Sequence, residues 1–222
     1  MQITPAILPH SFEEIQEKLS RVEGIVTRVQ IDLCDGVFGR ERTWLPDGTE
    51  SLSTSFSYEF DVMVTDWRTP TANALSLGAS CIVMHVDLFS DEDMQELITL
   101  VSPYAIPLGI AVSHDKSVDF HADMVRKARE LYSPVFIQVM GIRNVGEQGQ
   151  LFEEEAVDRI RALKQQFGDV AIQVDGGMTP ETAKKIFDAG AETAVVGSYI
   201  FGGEDPGAAI KHLESITLDA TC

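Results

Sequence analysis

Two acids and four small residues stand at spacings that chemistry would use. In AIQVDGGMTPETAKKIFDAGAETAVVGSYIFG, residues 171–202, an apolar run at 170–174 ends on Asp175, Gly176 and Gly177, and a second run at 193–196 ends on Gly197 and Ser198. Glycines at the carboxyl end of a strand let the backbone approach an anion, and a helix beginning just beyond adds unpaired N–H groups and a favourable dipole. One such turn reads as a tight connection. Two in successive strand–turn–helix units, beside an acid, read as a phosphate cradle made of Gly176, Gly177, Gly197 and Ser198. The second acid is Asp32 in VQIDLCD, where Gln30 and Asp32 share one face of an alternating strand. A positioned carboxylate can take or return a proton beside a carbonyl, and two that reach opposite faces of one carbon can invert it.

The elements that must hold these groups alternate along the chain. An apolar run at 3–8 is followed by Ser11-Phe12-Glu13-Glu14, a capping box that opens a helix to about residue 22. Strands are expected at 27–33, 57–64, 80–86, 107–112 and 135–140, with Glu59, Asp61 and Met63 on one face of the third. Between them fall a long loop at 35–55, a helix at 69–78 capped by Thr69, a helix opened by Ser90, a helix over 117–132, a glycine-rich loop at 141–151 and a helix over 152–167. Thr179 caps a further helix with Pro180 at its first position, and Gly190 ends it. Eight strands alternating with helical segments imply a parallel sheet with right-handed crossovers, closed into an α/β (β/α)8 TIM barrel that is a single domain over 1–222. In such a barrel a phosphate site commonly lies on the loops after strands 7 and 8, and Asp32 and Asp175 are then expected on opposite sides of the mouth.

Composition excludes several partners. A net charge of −18 repels nucleic acid and anionic membranes, and it weakly repels a sugar phosphate, so capture of such a ligand must rest on local dipoles. No apolar run reaches the roughly 18 residues of a membrane span, and no basic segment precedes an apolar core at the amino terminus, which points to the cytoplasm. Cys34, Cys81 and Cys222 are odd in number and lack paired spacing, arguing for a reducing compartment and against a disulfide or zinc framework. His10, His114, His121 and His212 do not cluster and read as surface or loop residues. Trp44 and Trp67 read as packing residues in loops, and Lys184 and Lys185 as a solvated helix face.

VDGG, TPET with DAGAE, VVGSYIF and DPGAAI, together with PAIL at 5–8, VQIDLCDGVF at 29–38, FDVMV at 60–64 and LGASCIVMH at 77–85, resemble the ribulose-phosphate 3-epimerase family over nearly the whole chain. The resemblance implies interconversion of D-ribulose 5-phosphate and D-xylulose 5-phosphate, or of a related ketose phosphate, through an enediolate. It makes Asp32 and Asp175 both the proton-transfer pair and metal ligands, and Met63, Met140 and His85 substrate contacts. The family's two imidazole ligands are replaced, by Gln30 in its His-x-Asp and by Asp61 in its His-Leu-Met-Val. Ala6 stands for its first-strand serine, Cys34 for a third methionine, and 143–149 loosely for its Pro-Gly-Phe-Gly-Gly loop. Gln30, Asp32, Asp61 and Asp175 converging would repel without a cation, and this all-oxygen set suits Mg²⁺ or Mn²⁺ over Zn²⁺ or Fe²⁺. Where no ion binds, Arg143 is the candidate to supply positive charge.

Two other readings stay open. A lyase of the same barrel superfamily, a decarboxylase or aldolase-type enzyme, would carry Asp-x-Lys-x-x-Asp; Asp61 and Asp66 keep that spacing, with Met63 where the lysine belongs. A non-catalytic phosphosugar-binding relic would not need both Asp32 and Asp175. The partner expected in every case is a small-molecule sugar phosphate. Barrels of this type often pair as homo-oligomers, though no face of the sequence marks a dimer contact.

Overall fold

In the computed structural model, which describes residues 2–218, eight parallel strands close in sequence order into a barrel. They are β1 (Gln2–Ile7), β2 (Arg28–Cys34), β3 (Ser57–Met63), β4 (Ala79–His85), β5 (Leu108–Val112), β6 (Val135–Met140), β7 (Ile172–Asp175) and β8 (Thr193–Val196). Closure is made by β1 against β8, in register from Gln2↔Thr193 to Pro5↔Val196.

Side chains alternate across each strand, so every strand feeds two environments. Outward-facing Ile31, Leu33, Phe60, Val62, Ile82, Met84, Ile137 and Val139 join the apolar layer between barrel and helices. Burying each side chain of this size is worth roughly 1.5–3 kcal/mol, and this layer is the principal hydrophobic core. The inward faces are different. Branched apolar residues ordinarily fill a barrel of this kind, whereas the register here sets Gln30 beside Glu59, Asp32 beside Asp61, and Gln138 beside Gln173.

The helices are α1 (Phe12–Ser20), α2 (Arg68–Ser76), α3 (Asp91–Val101), α4 (Val118–Leu131), α5 (Glu155–Gln166), α6 (Pro180–Asp188), the single turn α7 (Ser198–Phe201) and α8 (Pro206–Leu218). Ser11, Ser90, Ser117 and Thr179 cap α1, α3, α4 and α6 through their side chains. The box expected at Ser11 is only half formed, because the Glu14 carboxylate accepts from the His10 N–H at 2.8 Å. Thr69 is not a cap: α2 begins earlier, with Trp67 at the N-cap position, buried against Phe89 at 5.3 Å. No helix follows β2; residues 35–56 form a loop strapped down by bonds such as Trp44 N–H to Pro9 O at 2.8 Å. α5 starts three residues later than expected, since Phe152 packs beneath Gly141 and Gly177.

His114 and His121 are buried, not on the surface. The turn after β5 folds over the barrel end, bringing His114 Nε2 within 2.9 Å of Met140 O, and the first turn of α4 presses His121 Nε2 to 3.0 Å from Asp87 Oδ1. Cys34 and Cys81 are free and buried; Cys222 lies outside the described residues. Lys184 and Lys185 sit on the exposed face of α6, paired with Asp188 and with Glu154 and Glu181. Among the described residues no helix is long and apolar enough to cross a membrane.

Candidate active site

The carboxyl ends of β2, β3 and β7 bring Asp32, Asp61 and Asp175 together, one oxygen of each lying within 4.8 Å of the others. Asp32 and Asp175 therefore reach inward and nearly meet, from strands separated by β1 and β8 and not from opposite sides of the mouth. Gln30, fully buried, bridges them: its Nε2 donates to Asp32 Oδ1 at 2.9 Å and to Asp175 Oδ2 at 3.2 Å. Both oxygens of Asp61 are engaged elsewhere, Oδ1 with His85 Nε2 at 3.1 Å and Oδ2 with Gln138 Nε2 at 2.7 Å.

Gln138 in turn accepts through Oε1 from Gln173 Nε2 at 2.6 Å, and Gln173 also donates to Glu59 Oε1 at 2.7 Å. A hydrogen-bonded column thus runs down the barrel interior beneath the acids. Its amides went unremarked in the sequence, although each lies two residues before an inward group already singled out, Met140 or Asp175. The mouth pocket is lined by Asp32 and Asp175 with Met63 and Met140, and Asp61 stands behind them.

Burial and the neighbouring Asp61 push the Asp32 carboxyl up to about 8. Asp175 is also held well above the ordinary carboxylate range, by burial and then by Asp32 and Asp61. Burial opposes a charge on His85, but the Asp61, Asp87 and Asp175 carboxylates outweigh it and raise its pKa. A cluster of this kind fits a hard divalent cation, which would relieve the repulsion. Gln30 fits as well: its Oε1 is buried with no hydrogen-bond partner, and turning the amide would aim that oxygen at the same centre.

The glycine turns are obligatory. Gly176 and Gly177 have φ of +98° and +69°, and a Cβ would stand 2.7 Å from Ile142 Cγ1 at the first and 2.7 Å from Phe152 Cα at the second. Thr182 Oγ1 donates to Gly177 O at 2.9 Å, fixing the turn at the start of α6. Gly176, Gly177, Gly197 and Ser198 all line the same pocket as the two acids.

Arg143 does not line this pocket. It is half exposed and held by Glu153 at 3.7 Å and Glu155 at 3.6 Å on the outer side of its loop. Among the described residues no lysine or arginine lines the pocket; the 141–151 loop contributes Glu147, Gln148 and Gln150 instead, which the sequence did not single out. That loop is tied to the one after β2 by Arg40 N–H to Val145 O and Glu41 N–H to Gly146 O, both at 3.0 Å. Under the junction Leu8, Cys34, Met63, Phe38 and Val145 form a small apolar cluster. Asp66 is exposed and outside the pocket, so the lyase spacing does not assemble.

Residues 2–201 match the model of the Ribulose-phosphate 3 epimerase family. The chain is 29% identical over 218 residues to the cytoplasmic isoform of ribulose-phosphate 3-epimerase from Oryza sativa, covering 96% of this chain and 92% of that protein. It is 26% identical over 228 residues to ribulose-phosphate 3-epimerase from Aquifex aeolicus, covering 98% and 97%. Among solved structures, a 3-hexulose-6-phosphate synthase superposes with a TM-score of 0.69 at 20% identity, covering 97% of this chain and 99% of that one, which is a likeness of fold. The chain belongs to the ribulose-phosphate 3-epimerase family.

Proposed function

We propose that this protein is a ketose-phosphate 3-epimerase that interconverts D-ribulose 5-phosphate and D-xylulose 5-phosphate or a close relative. The observation that carries the reading is the pocket itself, where Asp32 and Asp175 lie beside a cradle of glycine turns at the ends of β7 and β8. The backbone amides around Gly176, Gly177, Gly197 and Ser198 hold the phosphate and fix the distance to the reacting carbon. One carboxylate removes the C3 proton and the other returns one to the opposite face; the Asp32 carboxyl, pushed up to about 8, suits that exchange near neutral pH. Gln30 keeps the two acids in register, and Met63 and Met140 give the pocket an apolar, polarizable wall.

Asp32, Asp61 and Asp175, with Gln30 turned, would hold a divalent cation, Mg²⁺ or Mn²⁺ by the hardness of their oxygens. When bound, such an ion supplies charge stabilisation for the enediolate oxygens. Free buried cysteines and a charge of −18 suit a cytoplasmic enzyme whose partner is a small sugar phosphate, with no nucleic acid or membrane. The test is proton exchange: the protein is incubated with ribulose 5-phosphate in D₂O, with and without Mg²⁺, Mn²⁺ or Zn²⁺, and followed by NMR. Deuterium at C3 together with xylulose 5-phosphate is expected. No exchange under any ion, with phosphate still bound, would turn the reading to a binding protein or a different ketose.

A further inference from the structure

An exposed amide side chain stands at the edge of the glycine turns. Gln148 lies at the tip of the 141–151 loop, lines the pocket, and makes no hydrogen bond within the described residues. Its Nε2 stands 3.1 Å from where a Cβ on Gly197 would be, over the residue that precedes α7. We infer that the Gln148 side-chain amide is a direct donor to the bound phosphate, reaching it over Gly197 from the 141–151 loop.

The loop is built to hold it there. Gln150 Nε2 donates to Glu147 O at 3.1 Å and, closer still, to Asn144 O, while its Oε1 accepts from Asn144 N–H at 3.2 Å. These bonds close the segment from Asn144 to Glu147 into one unit. Gly146, at φ +71°, is pinned: a Cβ would stand 2.7 Å from Cys34 Sγ and 3.0 Å from Gly39 Cα. Gly149, at φ +77°, has nothing within 4 Å of that position. The tip between a pinned and an unencumbered glycine therefore carries Gln148 above Gly197 and leaves its amide unspent.

Electrostatics gives the reason for an amide. With no lysine or arginine among the described residues on the pocket wall and a chain charge of −18, each neutral donor matters more than it would beside a cation. Glu147, next to Gln148, also lines the pocket, so a donor at the tip offsets a local carboxylate.

The inference rests on the reading of this pocket as a phosphate site, and binding of inorganic phosphate separates the two. Titration calorimetry on the full chain compares wild type, Gln148→Ala and Gln148→Glu, with a thermal melt as the control for folding. Losing one hydrogen bond to an anion is expected to weaken phosphate binding about tenfold in Q148A, and a carboxylate there to weaken it further. With ribulose 5-phosphate as substrate, Q148A should raise KM by a similar factor and leave kcat nearly unchanged. Equal phosphate affinity in wild type and Q148A would overturn the role of Gln148 and spare the cradle. Absence of phosphate binding in the wild type would overturn both.

Discussion

Gln138 donates its side-chain Nε2 to Asp61 Oδ2 at 2.7 Å. With His85 on the other oxygen, that bond turns Asp61 into the barrel and leaves Asp32 and Asp175 as the acids that face the pocket. Gln138→Leu keeps the volume and removes the donor from a buried carboxylate, which costs roughly 1.5–3 kcal/mol. The variant is expected to melt several degrees lower and to lose about tenfold in kcat with little change in KM, because Asp61 is behind the pocket and not in it. Thermal denaturation and steady-state kinetics check this; a wild-type melting point and rate would show that the column beneath the acids plays no part in setting them.

Asp175→Asn separates chemistry from stability. Asparagine keeps the shape and ends proton transfer, so deuterium entry at C3 should fall by about 10²–10⁴ while phosphate binding persists. The same change removes one member of a buried cluster whose pKa is raised by burial and by Asp32 and Asp61. In the absence of divalent cations, the variant should therefore melt no lower than the wild type at pH 8. A large loss of stability there would mean that Asp175 is chiefly a structural partner of Gln30.

Much of this arrangement was legible in the sequence, for physical reasons that differ by element. The strands were readable because the outward faces are apolar at period two, and the turns at Gly176 and Gly177 because only glycine fits those φ values. Asp32 and Asp175 were readable because charge at a strand end has no core role. Gln138 and Gln173 were not, since a buried amide matters through its partners and those come from other strands. His114, on a loop as expected, and His121, on a helix, were not seen to be buried for the same reason: Met140 O and Asp87 reach them only through the fold. Arg143 was placed at the mouth by its loop, but Glu153 and Glu155, ten and twelve positions on, hold it outside.

Cation binding should show in the pH dependence of stability. Asp32, pushed up to about 8, and Asp175, held well above the ordinary carboxylate range, have folded pKa values above their unfolded ones, so the folded chain binds more protons above pH about 4. Their contribution is fully present below the unfolded pKa near 4 and is lost as pH rises through the folded value. In EDTA the melting temperature attributable to these groups should therefore fall from pH 5 to pH 8, and millimolar Mg²⁺ or Mn²⁺ should restore it at pH 8 with much less effect at pH 5. A pH-independent response to the ion, or none, would remove the three acids as its ligands.

Salt provides a test that depends on charge alone. A phosphate held by lysine or arginine is released as ionic strength rises, but here backbone amides and Gln148 are short-range dipoles while the chain as a whole carries −18. The Debye length shrinks from about 10 Å at 0.1 M to about 3 Å at 1 M, which screens the long-range repulsion and leaves contacts at hydrogen-bond distance largely intact. Affinity for inorganic phosphate, measured in a chloride series from 20 mM to 500 mM, is therefore expected to hold steady or rise, with any gain in the association rate. A steep fall would require a cation in contact with the phosphate, such as a metal ion on the three acids or a displaced Arg143.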